Sequence, residues 1–214
     1  MYYFLTILID TGAGFFSMFP FLILLEILAR KEIPYIPLKH LIGDGIFCFF
    51  LSAILALTGV PSFYEMRRPS GWNVAPFQSI LADPIQSLGK ILLFLPMGFL
   101  LPLLFRKYQK PSRCLLYGLS FSLTVEIWQL FSFRSMSVDD LLLNMLGMAA
   151  GFGLFSLWRL LWPPTAEVMS LSDQTLSSLP AMLELESGFL TAAACAGALF
   201  MTSAVRGWIW RIFL

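Results

Sequence analysis

The sequence predicts an all-α fold: a polytopic transmembrane helix bundle of about six spans, with five as the alternative. Two observations carry this. Of 214 residues, 58% are hydrophobic and only 13% are charged, against about 25% charged in an ordinary soluble domain. The apolar residues also gather in runs close to the roughly 20 residues that a helix needs to cross the hydrocarbon core. A single membrane domain is therefore expected over residues 1–214.

The first run lies within residues 4–29 and is long enough to tilt, or to break near DTGAG. The second is 41–60. The third, about 88–105, is the shortest, because Lys90 and Arg106 bound it. It also holds Pro96 and Pro102, which remove backbone donors and should kink it. The fourth is 114–133, the fifth about 138–161, and the sixth begins at Phe189. The ending RGWIWRIFL either completes that last span or lies in the interface as an aromatic anchor.

Short loops rich in Lys and Arg stay in the cytoplasm. Loop 30–40 holds Arg30, Lys31 and Lys39, and loop 106–113 holds Arg106, Lys107, Lys110 and Arg113. Placing both inside puts the N-terminus and the connectors 61–87 and 134–137 outside. The Ser-rich, acidic stretch 163–188 then becomes a cytoplasmic loop and the natural contact for a protein partner. The opening MYYFLTILID lacks the basic n-region of a secretory signal, so no cleavage is expected.

Several function classes drop out. A net charge of +1 gives no nucleic-acid signal. Cys48, Cys114 and Cys195 fall inside apolar segments without metal-ligand spacing and read as small hydrophobes. His40, the only histidine, sits in the basic cytoplasmic loop. No Ser/His/Asp set, glycine-rich phosphate loop or Cys/His cluster stands elsewhere. No metal or other cofactor is expected.

What remains is a pattern of rare polar residues. Residues at i, i+4, i+7 and i+11 share a helix face, the spacing of Asp140, Asn144, Gly147 and Gly151. In the fourth segment Gly118, Ser122, Glu126 and Gln129 form a second narrow stripe. The two segments are antiparallel neighbours joined by a short loop, so the stripes should meet. Gly118, Ser122, Gly147 and Gly151 would permit the close approach that drives packing in a membrane. A carboxylate near the bilayer centre costs on the order of 3 kcal/mol and usually faces the bundle interior or a watery cavity. Glu126 is therefore the most informative residue, with Arg134 and Lys90 as candidate partners. Asp139 and Asp140 have a plainer explanation. Ser137-x-x-Asp140 has capping-box spacing, and acids there complement the helix dipole. The same carboxylates also allow a lesser alternative, an oxygen-bound Mg²⁺.

The segments NVAPF (73–77), ILLFLPMGFLLPLLF (91–105), SLTVEIWQ (122–129) and FRSMSVDDLLLNMLGMAAG (133–151) together resemble the VanZ-like membrane proteins. The resemblance covers roughly residues 70–160. It marks Asn73, Pro76, Phe77, Pro96, Gly98, Glu126, Gln129, Arg134, Asp139, Asp140, Asn144 and Gly147 as family-pattern positions. The chain departs from the pattern at Lys90, where asparagine is expected. The resemblance implies a multi-pass bacterial plasma-membrane protein and a link to resistance against teicoplanin-type glycopeptides.

Stripes and resemblance together point to an outward-facing polar cavity. Its candidate lining is Asn73, Lys90, Glu126, Gln129, Arg134, Asp139, Asp140 and Asn144. The expected ligand is an envelope lipid, a lipid-linked cell-wall precursor or an amphiphilic glycopeptide antibiotic. Three alternatives stand beside it: a membrane transferase or hydrolase using Glu126 and Asp139/Asp140, a small proton-coupled transporter with Glu126 titrating, and a scaffold for a partner protein.

Overall fold

The structure is a computed structural model. It describes residues 2–32, 38–59, 66, 72–73, 83–131, 136–163 and 181–213. In chain order these form α1 (Tyr2–Glu32), α2 (Leu38–Thr58), the strand β1 (Trp72–Asn73) and α3 (Pro84–Leu104). A 3₁₀ turn (Arg106–Gln109), α4 (Pro111–Gln129), the strand β2 (Met136–Ser137) and α5 (Val138–Leu161) follow. Last come α6 (Ala181–Ala196), a π-helical turn (Gly197–Met201) and α7 (Thr202–Phe213). The fold is all-α as expected; the β1–β2 pair, two residues long and parallel, is the one ladder among the described residues. Among the described residues, four helices are long and apolar enough to cross a membrane: α2, α3, α5, and α1 over Ile7–Leu25. Leu185–Met201 is a shorter apolar stretch, and α4, which carries the second polar stripe, is not among the four.

The chain divides into two compact units, residues 1–66 with 174–214 and residues 67–173. In the first, α1 runs unbroken through DTGAG and Pro20. That stretch packs instead of breaking: a Cβ at Gly14 would lie 3.3 Å from Ser52 Cβ on α2. Beside it, the Ser52 hydroxyl donates to Met18 Sδ at 3.4 Å. Phe47, Leu51 and Ile54 bury the same side of α2. That helix ends at Gly59, whose φ of 70° is the left-handed geometry glycine accepts without strain. The last helical region begins at Ala181 rather than Phe189, so part of the expected loop 163–188 is helix. Residues 164–180 of that loop lie outside the described residues.

The second unit is α3, α4 and α5. The third span begins at Pro84, several residues before the expected start. Asp83 caps it, its carboxylate accepting the Gln86 backbone N–H at 3.0 Å, with Pro84 at the first helical position. Asp-Pro is a strong helix start because Pro lacks the N–H that would go unsatisfied there. Lys90 thus lies within the helix and does not end it.

The fifth span's glycines fall on an unexpected neighbour. Gly147 and Gly151 face α3, not α4: an added Cβ would strike the Ile91 carbonyl from Gly147 and the Leu95 carbonyl from Gly151. From Gly151 it would also lie 2.9 Å from Gly98 Cα. Helix periodicity identifies which residues share a face, but says nothing of which helix covers it. Met148 links all three helices. Its backbone lies against Gly98 on α3 and its side chain against Gly118 on α4, and it is fully buried. Around this seam the exterior is apolar: Leu116, Ile127, Leu142, Leu146, Leu154 and Leu157 are all exposed. Small and polar residues inside with leucines outside is the arrangement expected of a lipid-facing bundle.

Candidate functional site

The polar residues of the second unit gather where the α3 N-terminal half, the C-terminal end of α4 and the start of α5 meet. This is also where β1 pairs with β2, with Asn73 opposite Ser137. That register brings the Asn73 backbone to the N-cap of α5; the Asn73 side chain lies outside the described residues, as does Arg134.

Glu126 is 1% exposed. Its Oε2 accepts the Ser137 backbone N–H at 3.2 Å. Ser137 is the N-cap of α5, as the sequence suggests, but its side chain makes no capping hydrogen bond. In a capping box the third helical residue would accept the N-cap N–H. Here that position is Asp140, and Glu126 of the preceding helix takes the N–H instead. Four N–H groups lack partners at any helix start, and the one at Ser137 sits in a buried place where water cannot serve it. A carboxylate acceptor gives a charge-assisted bond, stronger than a neutral one.

Asp140 is turned the other way. It forms an ion pair with Lys90 of α3, the two side chains being 14% and 19% exposed. Lys90 therefore meets an acid on the facing helix. One turn along, Asn144 Nδ2 donates to Ser122 Oγ at 2.9 Å, with both residues buried. The two stripes thus meet at the Ser122–Asn144 pair, while the glycines of the α5 stripe serve α3. Gln129 and Asp139 are buried at 3% and 0% exposure.

The site is therefore a polar layer spanning three helices. Its inner members, Ser122, Glu126, Gln129, Asp139 and Asn144, are buried. Its rim is the Lys90–Asp140 pair, which keeps some exposure. Such an arrangement holds three helix ends in register and presents one positive and one negative group together.

One cluster escaped the sequence reading. Asp44, which looks isolated in the sequence, lies beside His40 and Glu186 in the first unit. The His40-to-Asp44 spacing of one helical turn was the available signal. Glu186 was hidden in the stretch read as loop.

A family model described as VanZ/LLP1 matches residues 47–159, more than half of the chain. Neither the curated proteins nor the solved structures give a match.

Proposed function

The chain belongs to the VanZ/LLP1 family, and from that premise we propose that it binds the head group of an envelope amphiphile. The ligand bears a phosphate or carboxylate on an apolar tail: an envelope lipid, a lipid-linked cell-wall precursor or an amphiphilic glycopeptide antibiotic. The observation that supports this is the Lys90–Asp140 pair. It is a partly exposed ion pair at the rim of an otherwise buried polar layer. Lys90 would share its charge with the ligand's anionic group, and Asp140 would meet a ligand amine or hydroxyl. The buried Glu126 and the Asn144–Ser122 pair hold α4 and the start of α5 in the geometry that presents the rim. On the positive-inside rule this end faces outward from the bacterial plasma membrane, with the N-terminus outside.

This reading is preferred to a transferase or hydrolase because a general acid and base must reach one reacting site. Glu126 and Asp140 instead serve separate partners on different elements. Native mass spectrometry of the full chain released from membranes tests the proposal. We expect retained anionic lipid, reduced several-fold in Lys90→Gln. Retention equal in the variant, or no lipid on the native protein, overturns it. Glycopeptide susceptibility of cells expressing the two forms then separates the antibiotic from the lipid as ligand.

A further inference from the structure

The first unit contains a second polar cluster, distant in sequence from the polar layer of the second unit. His40 and Asp44 stand one turn apart on α2 and share a face. Glu186 approaches them from α6, which packs on α2. His40 and Asp44 are each 2% exposed and Glu186 is 3% exposed. One atom organises the group: His40 Nε2 lies 3.3 Å from Glu186 Oε2 and 3.5 Å from Asp44 Oδ2. The three ligand atoms all fall within 4.8 Å of one another.

These separations are long for charge-assisted hydrogen bonds, which run at about 2.7–2.9 Å. A single ring N–H shared between two carboxylates makes only a three-centre bond, poorly aligned with each acceptor. The two nitrogen–oxygen distances do match the edge of a coordination tetrahedron. Zinc–nitrogen bonds of about 2.05 Å and zinc–oxygen bonds of about 2.1 Å, at the tetrahedral angle, put N and O about 3.4 Å apart. An octahedral ion with bonds of about 2.05 Å would draw adjacent ligands to about 2.9 Å. Two carboxylates and one imidazole are also a donor set that suits a divalent cation of this class.

We propose that His40, Asp44 and Glu186 form a binding site for a divalent transition-metal cation of the Zn²⁺ class, with its fourth position left to water. His40 and Asp44 lie outside the residues the family model matches, as does Glu186. The site is thus a property of this chain's first unit, and it stands or falls independently of the reading of the second unit. A metal there would tie α2 to α6 across more than 140 residues of sequence.

The test uses the full-length, tag-free protein in detergent, stripped with chelator and titrated with Zn²⁺, then separately with Co²⁺. The expected result is one Zn²⁺ per chain after desalting, and intense tetrahedral d–d bands with Co²⁺. Affinity should fall at least tenfold in His40→Gln and in Glu186→Gln. Absence of stoichiometric Zn²⁺ binding by the native chain overturns the proposal. So does a weak, octahedral Co²⁺ spectrum, or unchanged affinity in both variants. The native-chain measurements decide the matter even where a variant does not fold.

Discussion

Glu126 on α4 accepts the backbone N–H of Ser137, the N-cap of α5, and so a buried acid of the second unit works as the cap of its neighbour. Leaving a buried donor unsatisfied costs about 1–3 kcal/mol. Glu126→Leu should therefore lower thermal stability in detergent by that order. Glu126→Gln, which keeps a carbonyl acceptor, should lose clearly less. Equal losses in the two variants would remove the capping role.

Lys90 and Asp140 make a separable prediction. Removing one partner of a partly buried pair strands the other charge, whereas removing both does not. Lys90→Met and Asp140→Leu should each destabilise the protein, by up to about 3 kcal/mol, and the double variant should recover most of that loss. Thermal unfolding of the four forms reads the coupling, and additive losses would contradict it.

The glycine seam gives a contrast within one helix. A Cβ at Gly151 meets the α3 backbone, while at Gly153 nothing lies within 4 Å. Gly151→Ala should cost about 1–3 kcal/mol through overpacking. Gly153→Ala should be neutral or gain up to about 1 kcal/mol from helix propensity. Chemical unfolding in mixed micelles measures both. A tolerant Gly151 would mean that α3 and α5 do not approach as closely as described.

Asn144 and Ser122 make a direct side-chain bond between the two stripes. Hydrogen bonds between membrane helices are modest, averaging about 0.6 kcal/mol in double-mutant cycles. A cycle through Asn144→Leu and Ser122→Ala should show coupling of that size. Coupling indistinguishable from zero would break the link.

How much of this was legible beforehand follows from what a one-dimensional pattern contains. The all-helical membrane fold was plain, because apolar runs of span length dominate the chain. The stripe residues stood out because polar side chains are scarce: Ser122, Glu126, Gln129 and Asn144 are all buried. The choice of partners was not legible. Periodicity gave Gly147 and Gly151 a common face but could not show that α3 lies against it. Lys90 looked like the end of a span because its acid, Asp140, is 50 residues away in sequence. Ser137 and Asp140 had capping-box spacing, yet an acceptor from another helix was placed better. Glu186 was read as loop because polar and serine residues surround it, although its helix already begins at Ala181.

Head-group binding at the Lys90–Asp140 rim is open to direct measurement. Photocrosslinking with phosphatidylglycerol carrying a diazirine in its head group, on the full chain in nanodiscs, tests this directly. The account predicts crosslinks concentrated in the peptides around Lys90 and around residues 136–144, and lost in Lys90→Gln. Crosslinks spread evenly over the lipid-facing leucines, and unchanged in that variant, would contradict it.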